Sequence, residues 1–138
     1  MVHLIKLSVG TRDVEHLRRL QLDRQASDPP LRHRTRHAPK RREEILDGGS
    51  IYWVVAGMVQ CRQRILGIEA ATYEDGSAAT ALVLDPALVG VEPRPVKPFQ
   101  GWRYLDESDA PGDLGKPGEA GSDLPQGLRL ALRELCLL

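Results

Sequence analysis

The apolar and polar positions divide this 138-residue chain into short strands and a few helices. His3-Leu4-Ile5-Lys6-Leu7 alternates loosely and stops before Gly10, which reads as a short buried strand. Thr11 is a candidate cap for the next segment, with Asp13 and Glu15 placed to favour a helix start. Val14, Leu17 and Leu20 recur at helical spacing and predict a helix from about Arg12 to Arg24, stopped by Asp28-Pro29-Pro30. Pro39 suits the first turn of a second, short helix over Lys40 to Leu46, and Gly48-Gly49 ends it.

The strand signals then follow one another. Ser50 to Val55, rich in aromatic and β-branched residues, is the strongest in the chain. Gly57 marks a turn or bulge, and the strand resumes from Met58 through Ile68 to Tyr73. Asp75-Gly76 is a hairpin turn that returns the chain through Ala78 to Leu84. Asp85-Pro86 breaks that strand, Leu88 to Val91 forms another, and the proline-spaced EPRPVKP is extended. Phe99 to Tyr104 reads as a last strand or a structured loop.

This order predicts an α+β domain over residues 1–105. An acidic Gly/Pro-rich loop occupies 106–123, and a helix in 124–138 packs back through Leu128, Leu132 and Leu135. The expected architecture is a small curved, mainly antiparallel sheet or a mixed β-barrel with flanking helices.

The length is that of one domain able to bury a core without metal or disulfide staples. Cys61 and Cys136 are far apart and lack ligand or redox spacing, so they read as small reduced apolar residues. No apolar run approaches the roughly eighteen residues of a membrane helix, and the N-terminus lacks a basic segment followed by a long apolar one. A cytoplasmic protein without membrane contact is expected.

Charge changes the picture. The formal net charge is zero, yet residues 1–64 hold 13 Lys/Arg against 7 Asp/Glu, while residues 65–138 hold 6 against 12. An anionic partner for the first half is one reading, and attraction between the halves, inside the fold or across a homodimer, is the other. Arg32, Arg34, Arg36, Lys40, Arg41 and Arg42 fall within eleven positions, with His33 and His37 among them. A guanidinium offers two parallel donors to a phosphate, so this run is the candidate phosphate-binding segment. Arg62 and Arg64 extend it if they share its outward face. Stacking of bases needs rings as well. Five of the six aromatic residues lie in Tyr52-Trp53 and Phe99/Trp102/Tyr104. Trp53 and Phe99 suit a core, whereas Trp102 and Tyr104 suit a pocket wall. Thr35, Trp53, Gln60 and Trp102 are the candidate base pocket.

Catalytic signatures are missing. Gly48-Gly49-Ser50 is no nucleophile elbow, because Tyr52 stands where a glycine is required. Neither a Walker loop nor a dinucleotide fingerprint is present. His33 and His37 are four apart, but the surrounding arginines and prolines oppose both a helix and a divalent metal. No metal, cofactor or catalytic residue is assigned.

The blocks HLIKLSVG, LRHRTRHAPKR, ILDGGSIYWV, QCRQRIL, ALVLDP and PFQGWRYL together resemble an uncharacterised bacterial family, found mainly in alphaproteobacteria and labelled as a domain of unknown function. The resemblance covers essentially the whole chain and implies a cytosolic bacterial protein. A second resemblance, to EVE and related PUA-like domains, rests on the lysine-bearing first strand, the basic loop and helix, the Gly-led aromatic strand, and Ile65-Leu66-Gly67-Ile68-Glu69. It implies a small mixed barrel that binds RNA or a modified base in a pocket flanked by basic groups. The first strand departs from that pattern, with Leu4-Ile5-Lys6 where an aromatic pair is common.

The functional expectation is therefore a non-enzymatic module contacting RNA or a modified nucleotide. A hydrolase or transferase acting on a phosphorylated small molecule, with His33 or His37 as acid/base, is the alternative. A homodimeric interaction domain is the third.

Overall fold

The computed structural model describes residues 1–114. Strand β1 (Val2–Leu7) is followed by helix α1 (Val14–Ser27), strand β2 (Arg32–Thr35) and helix α2 (Arg42–Leu46). Five further strands follow among the described residues: β3 (Ser50–Val55), β4 (Met58–Thr72), β5 (Ala78–Leu84), β6 (Val89–Pro95) and β7 (Trp102–Asp106). A 3₁₀ turn at Glu107–Asp109 closes it. Among these residues no helix is long and apolar enough to cross a membrane. The expected helix in 124–138 and most of the acidic loop lie outside the described residues.

The fold is α+β, built on one mixed sheet in the order β2-β5-β4-β3-β1-β7. The β1–β3 pair is parallel and the other pairings are antiparallel. A parallel pair needs a crossover, and α1, β2 and α2 supply it between β1 and β3. All six residues of β3 are buried, which suits its β-branched and aromatic composition. Strand β4 is the long member. Its Met58–Arg62 end pairs with both β3 and β6, which must therefore take its opposite edges, and its far half pairs with β5. Ala56 and Gly57, both at positive φ, form the tight turn joining β3 to β4.

Of the two expected architectures, the open sheet is the one found. Strands β2 and β7 end the path, and no ladder joins them. Residues 36–41 bridge the gap instead. Trp102 Nε1 donates to the His37 carbonyl at 2.9 Å, and the Tyr104 hydroxyl accepts from the Lys40 and Arg41 amides at 2.8 and 3.1 Å.

Both faces of the sheet are covered. One gathers Leu4, Ile51, Trp53, Val55, Cys61 and Ile65 with Leu17 of α1. The other gathers Tyr52, Val54, Val59 and Val91, against which Phe99 and Leu105 pack. Helix α1 docks differently from the expectation. Asp13, not Thr11, caps it by accepting from the His16 amide at 2.7 Å. Leu17 and Gln21 are its buried residues, while Leu20 stays 37% exposed. Gln21 and Gln63 exchange two amide hydrogen bonds of 2.8 Å. Gln63 also accepts from Trp53 Nε1 at 2.8 Å and donates to the Asp85 carbonyl at 3.0 Å.

Helix α2 ends against the sheet at Gly49, where space is the constraint. A Cβ there would sit 2.3 Å from the Val2 carbonyl oxygen and 2.5 Å from that of Ile45. Both are backbone atoms, which cannot swing aside. Gly49→Ala is therefore expected to cost about 3 kcal/mol in urea unfolding, at the upper end of ordinary overpacking. Gly57→Ala, at φ +80 with nothing within 4 Å, carries only the left-handed strain of about 1 kcal/mol. Equal costs at the two sites would contradict this account. For the amide exchange, Gln63→Leu strands the Trp53 N–H and the Gln21 amide and is expected to cost about 3 kcal/mol. Adding Gln21→Leu removes one of the stranded groups and should recover about 1 kcal/mol of that loss. A double variant less stable than Gln63→Leu alone would show that the exchange is dispensable.

Candidate functional site

Strand β2 carries the chemistry. Its residues alternate, with Thr35 buried, His33 turned inward and Arg34 exposed. Arg32 is half-buried and pairs with Asp28 at the end of α1, 2.8 Å away. Three concavities meet along this strand. A bay of about 450 Å³ is walled by Lys6, Arg34, Thr35, Arg36, Tyr73 and Trp102. A second, of about 700 Å³, includes Arg24, Asp28, Arg32, His33, Arg34 and Tyr73. Beneath them lies a chamber of about 140 Å³, reaching Lys6, Gln21, Arg24, Arg32, His33 and Trp53. Shared residues make these one connected cleft.

Its electrostatics are one-sided. Lys6, Arg24, Arg32, Arg34 and Arg36 line it, and Asp28 is the one carboxylate among the lining residues. A cleft walled by one sign of charge concentrates counter-ions. Arg34 and Arg36 make no ion pair among the described residues. Their guanidinium carbons lie 5.8 and 5.9 Å from the Tyr73 ring centroid, a cation–π arrangement. Arg34 also donates to the Thr72 carbonyl at 3.0 Å. Two groups inside the cleft are shifted by it. Burial lowers the Lys6 ammonium below its ordinary value. His33 is pulled down to about 4, first by burial and then by Lys6 and Arg24. Its ring stands edge-on to Trp53, centroids 5.2 Å apart, and its buried Nε2 has no partner.

The structure divides the sequence-derived candidates. Arg32, Arg34, Arg36, Thr35 and Trp102 come together at the cleft. Lys40 is exposed beyond it. Arg41 pairs with Glu44 and lies over the Tyr104 ring, and Arg42 donates to the Ile68 carbonyl at 2.6 Å. Arg62 and Arg64 do not extend the surface. They sit in register with Tyr52 and Ser50, on the face away from Trp53 and outside the residues that line the cleft. There Arg62 grips Asp113 through two bonds of 2.7 and 2.6 Å and donates to Ser50 Oγ at 3.0 Å. On that same face His3 accepts the Ser50 amide at Nδ1, which places its ring proton on Nε2, facing Glu107. That network pins the chain after β7 to the sheet. Trp53, 3% exposed, reaches the cleft only from below, and Gln60 is fully buried with its amide on the Val55 carbonyl, so neither offers a stacking or reading surface.

Lys6, Arg24 and Tyr73 are cleft residues that the sequence reading did not assign. A lysine inside an apolar strand is a signal for Lys6, and Tyr73 is the one aromatic outside the two clusters. Arg24 has no such signal, since its place depends on how α1 docks.

Comparison with known proteins yields one match. No curated protein and no solved structure matches the chain. A family model described as "Protein of unknown function (DUF1489)" matches residues 4–138. That span is nearly the whole chain, and the protein belongs to this family.

Proposed function

We propose that this protein is a non-enzymatic module that binds single-stranded RNA along the basic cleft of β2. The observation that carries the reading is the pair Arg34 and Arg36. Neither makes an ion pair among the described residues, and they are the arginines of the 32–42 run that stand with Tyr73 at the 450 Å³ bay. Phosphates supply the sequence-independent part of such binding. Tyr73 and Trp102 are the half-buried rings on which bases stack, and stacking tolerates any base. The PUA-like resemblance supports RNA as the ligand class, while the open sheet lacks the barrel of those domains.

Two measurements test this. Replacing Arg34 and Arg36 with Ala removes two phosphate contacts. The slope of log affinity against log salt for a labelled single-stranded RNA should shrink by about 1.4, at about 0.7 per contact. Arg41→Ala, whose guanidinium is held by Glu44, should leave the slope unchanged. An unaltered slope in the double variant would sink the reading. Tyr73→Leu is expected to weaken binding by about 1–3 kcal/mol at every salt concentration, the cost of one lost stacking ring. A loss that disappears at high salt would instead assign Tyr73 to positioning the arginines.

A further inference from the structure

The chamber under the cleft has properties that strand binding does not use. It lies where β1 ends and the chain turns through 8–13 into α1, so its wall combines Lys6, the Ser8 and Thr11 segment, and Arg24 from the last turn of α1. Its volume of about 140 Å³ corresponds to roughly five waters at about 30 Å³ each, which is room for a phosphoryl group. His33 lines it together with Lys6 and Arg24, its ring held edge-on to Trp53. A lysine, an arginine and an imidazole lining one small space form a donor set that an anion completes.

We propose that this chamber is a phosphate-monoester site, in which Lys6 and Arg24 hold the anion and His33 takes up one proton from solvent as it seats. The RNA reading enters only in saying what carries the phosphate: a terminal phosphate would anchor in the chamber while the strand follows β2. No covalent bond is made or broken.

The groups facing His33 set the sign of the linkage. Lys6 comes from β1, Arg24 and Asp28 from α1 and its end, and Arg32 and Arg34 from β2 itself; Asp28 is already paired with Arg32. Strand β5, paired with β2, has no titratable side chain. In the empty site His33 is neutral at pH 7, since burial and the two cations hold it near 4. A bound dianion offsets those cations and favours the imidazolium. A phosphate monoester loses its second proton near pH 6, at about the value of other phosphate monoesters. Above that pH the complex must draw a proton from solvent, and affinity should rise up to about tenfold as the pH falls from 7 to 6. Below it the ligand brings the proton itself and the rise should flatten. Sulfate carries no such proton, so its affinity should keep rising toward pH 4.

The experiment uses the full chain with methyl phosphate, a monoester whose second proton leaves at about pH 6, and with sulfate. Calorimetry in two buffers of different ionisation enthalpy reads the protons taken up, and the His33 ring resonance reads its titration midpoint. Expected are about one proton per phosphate at pH 7 and a His33 midpoint raised by both anions. His33→Gln should bind without proton uptake and with a flat sulfate profile. A midpoint unmoved by either anion overturns the proposal without any variant, as does unchanged uptake in His33→Gln. Oligonucleotides of one sequence carrying a 5′-phosphate, a 3′-phosphate or neither then separate the sources of the group. Tighter binding of one phosphorylated end by about tenfold supports a terminal anchor. If the unphosphorylated strand binds while phosphate leaves His33 unmoved, the chamber proposal falls and the RNA reading stands. If phosphate moves His33 and no strand binds, the reverse holds.

Discussion

The amide exchange between Gln21 and Gln63, with the Trp53 indole donating into it, is the constraint on which the rest of the structure depends. Helix α1 has little apolar surface to offer the sheet, with Leu17 as its one fully enclosed apolar side chain. Hydrophobic burial alone leaves the rotation and position of such a helix loosely set. A cyclic pair of buried amides sets both, because each donor must meet its acceptor or bear the cost of an unmatched buried group. Trp53 and the Asp85 carbonyl extend the match to β3 and to the end of β5. With α1 fixed in this way, Arg24 is held above β2, beside Lys6 and His33. The charge of the cleft thus follows from a neutral contact in the core.

That dependence explains why the strands were easier to read than the site. Residues 50–55 announce themselves because β-branched and aromatic residues fill both faces, and residues 78–84 because the Asp75-Gly76 turn returns the chain; the structure places strands at those bounds. Strand β2 was missed as a strand. Its sequence, RHRT, has no apolar alternation, and its pairing with β5 is decided by what lies beneath it. The helix prediction for α1 was right in kind, yet its apolar period chose Leu20 where the structure buries Gln21. No periodicity argument finds a glutamine whose burial depends on a partner 42 positions later.

The basic run shows the same limit at the level of charge. Composition located the cations in the first half and the 32–42 segment within it, but gave each arginine equal weight. The structure separates them by what they meet. Arg42 anchors to a carbonyl, Arg41 is held by Glu44, and Arg62 is held by Asp113 on the far face. Alternation turns Arg62 away from Trp53 and Arg34 away from His33 alike, so what separates them is the partner each meets, which composition does not supply.

The open sheet and the cleft share one physical origin. A strand at the end of a sheet exposes backbone groups that invite pairing with another chain, and charged side chains along the edge are a common defence. Strand β2 ends the sheet path and carries Arg32 and Arg34, with Arg36 immediately after. Their mutual repulsion and hydration oppose a second β-strand there. Residues 36–41 meet β7 through the Trp102 and Tyr104 side chains, with no ladder between β2 and β7 among the described residues. Closing the barrel would have occupied that space with a ladder and turned the arginines outward singly. Leaving it open collects them around one concavity, where an edge protected by charge is also a surface that attracts anions.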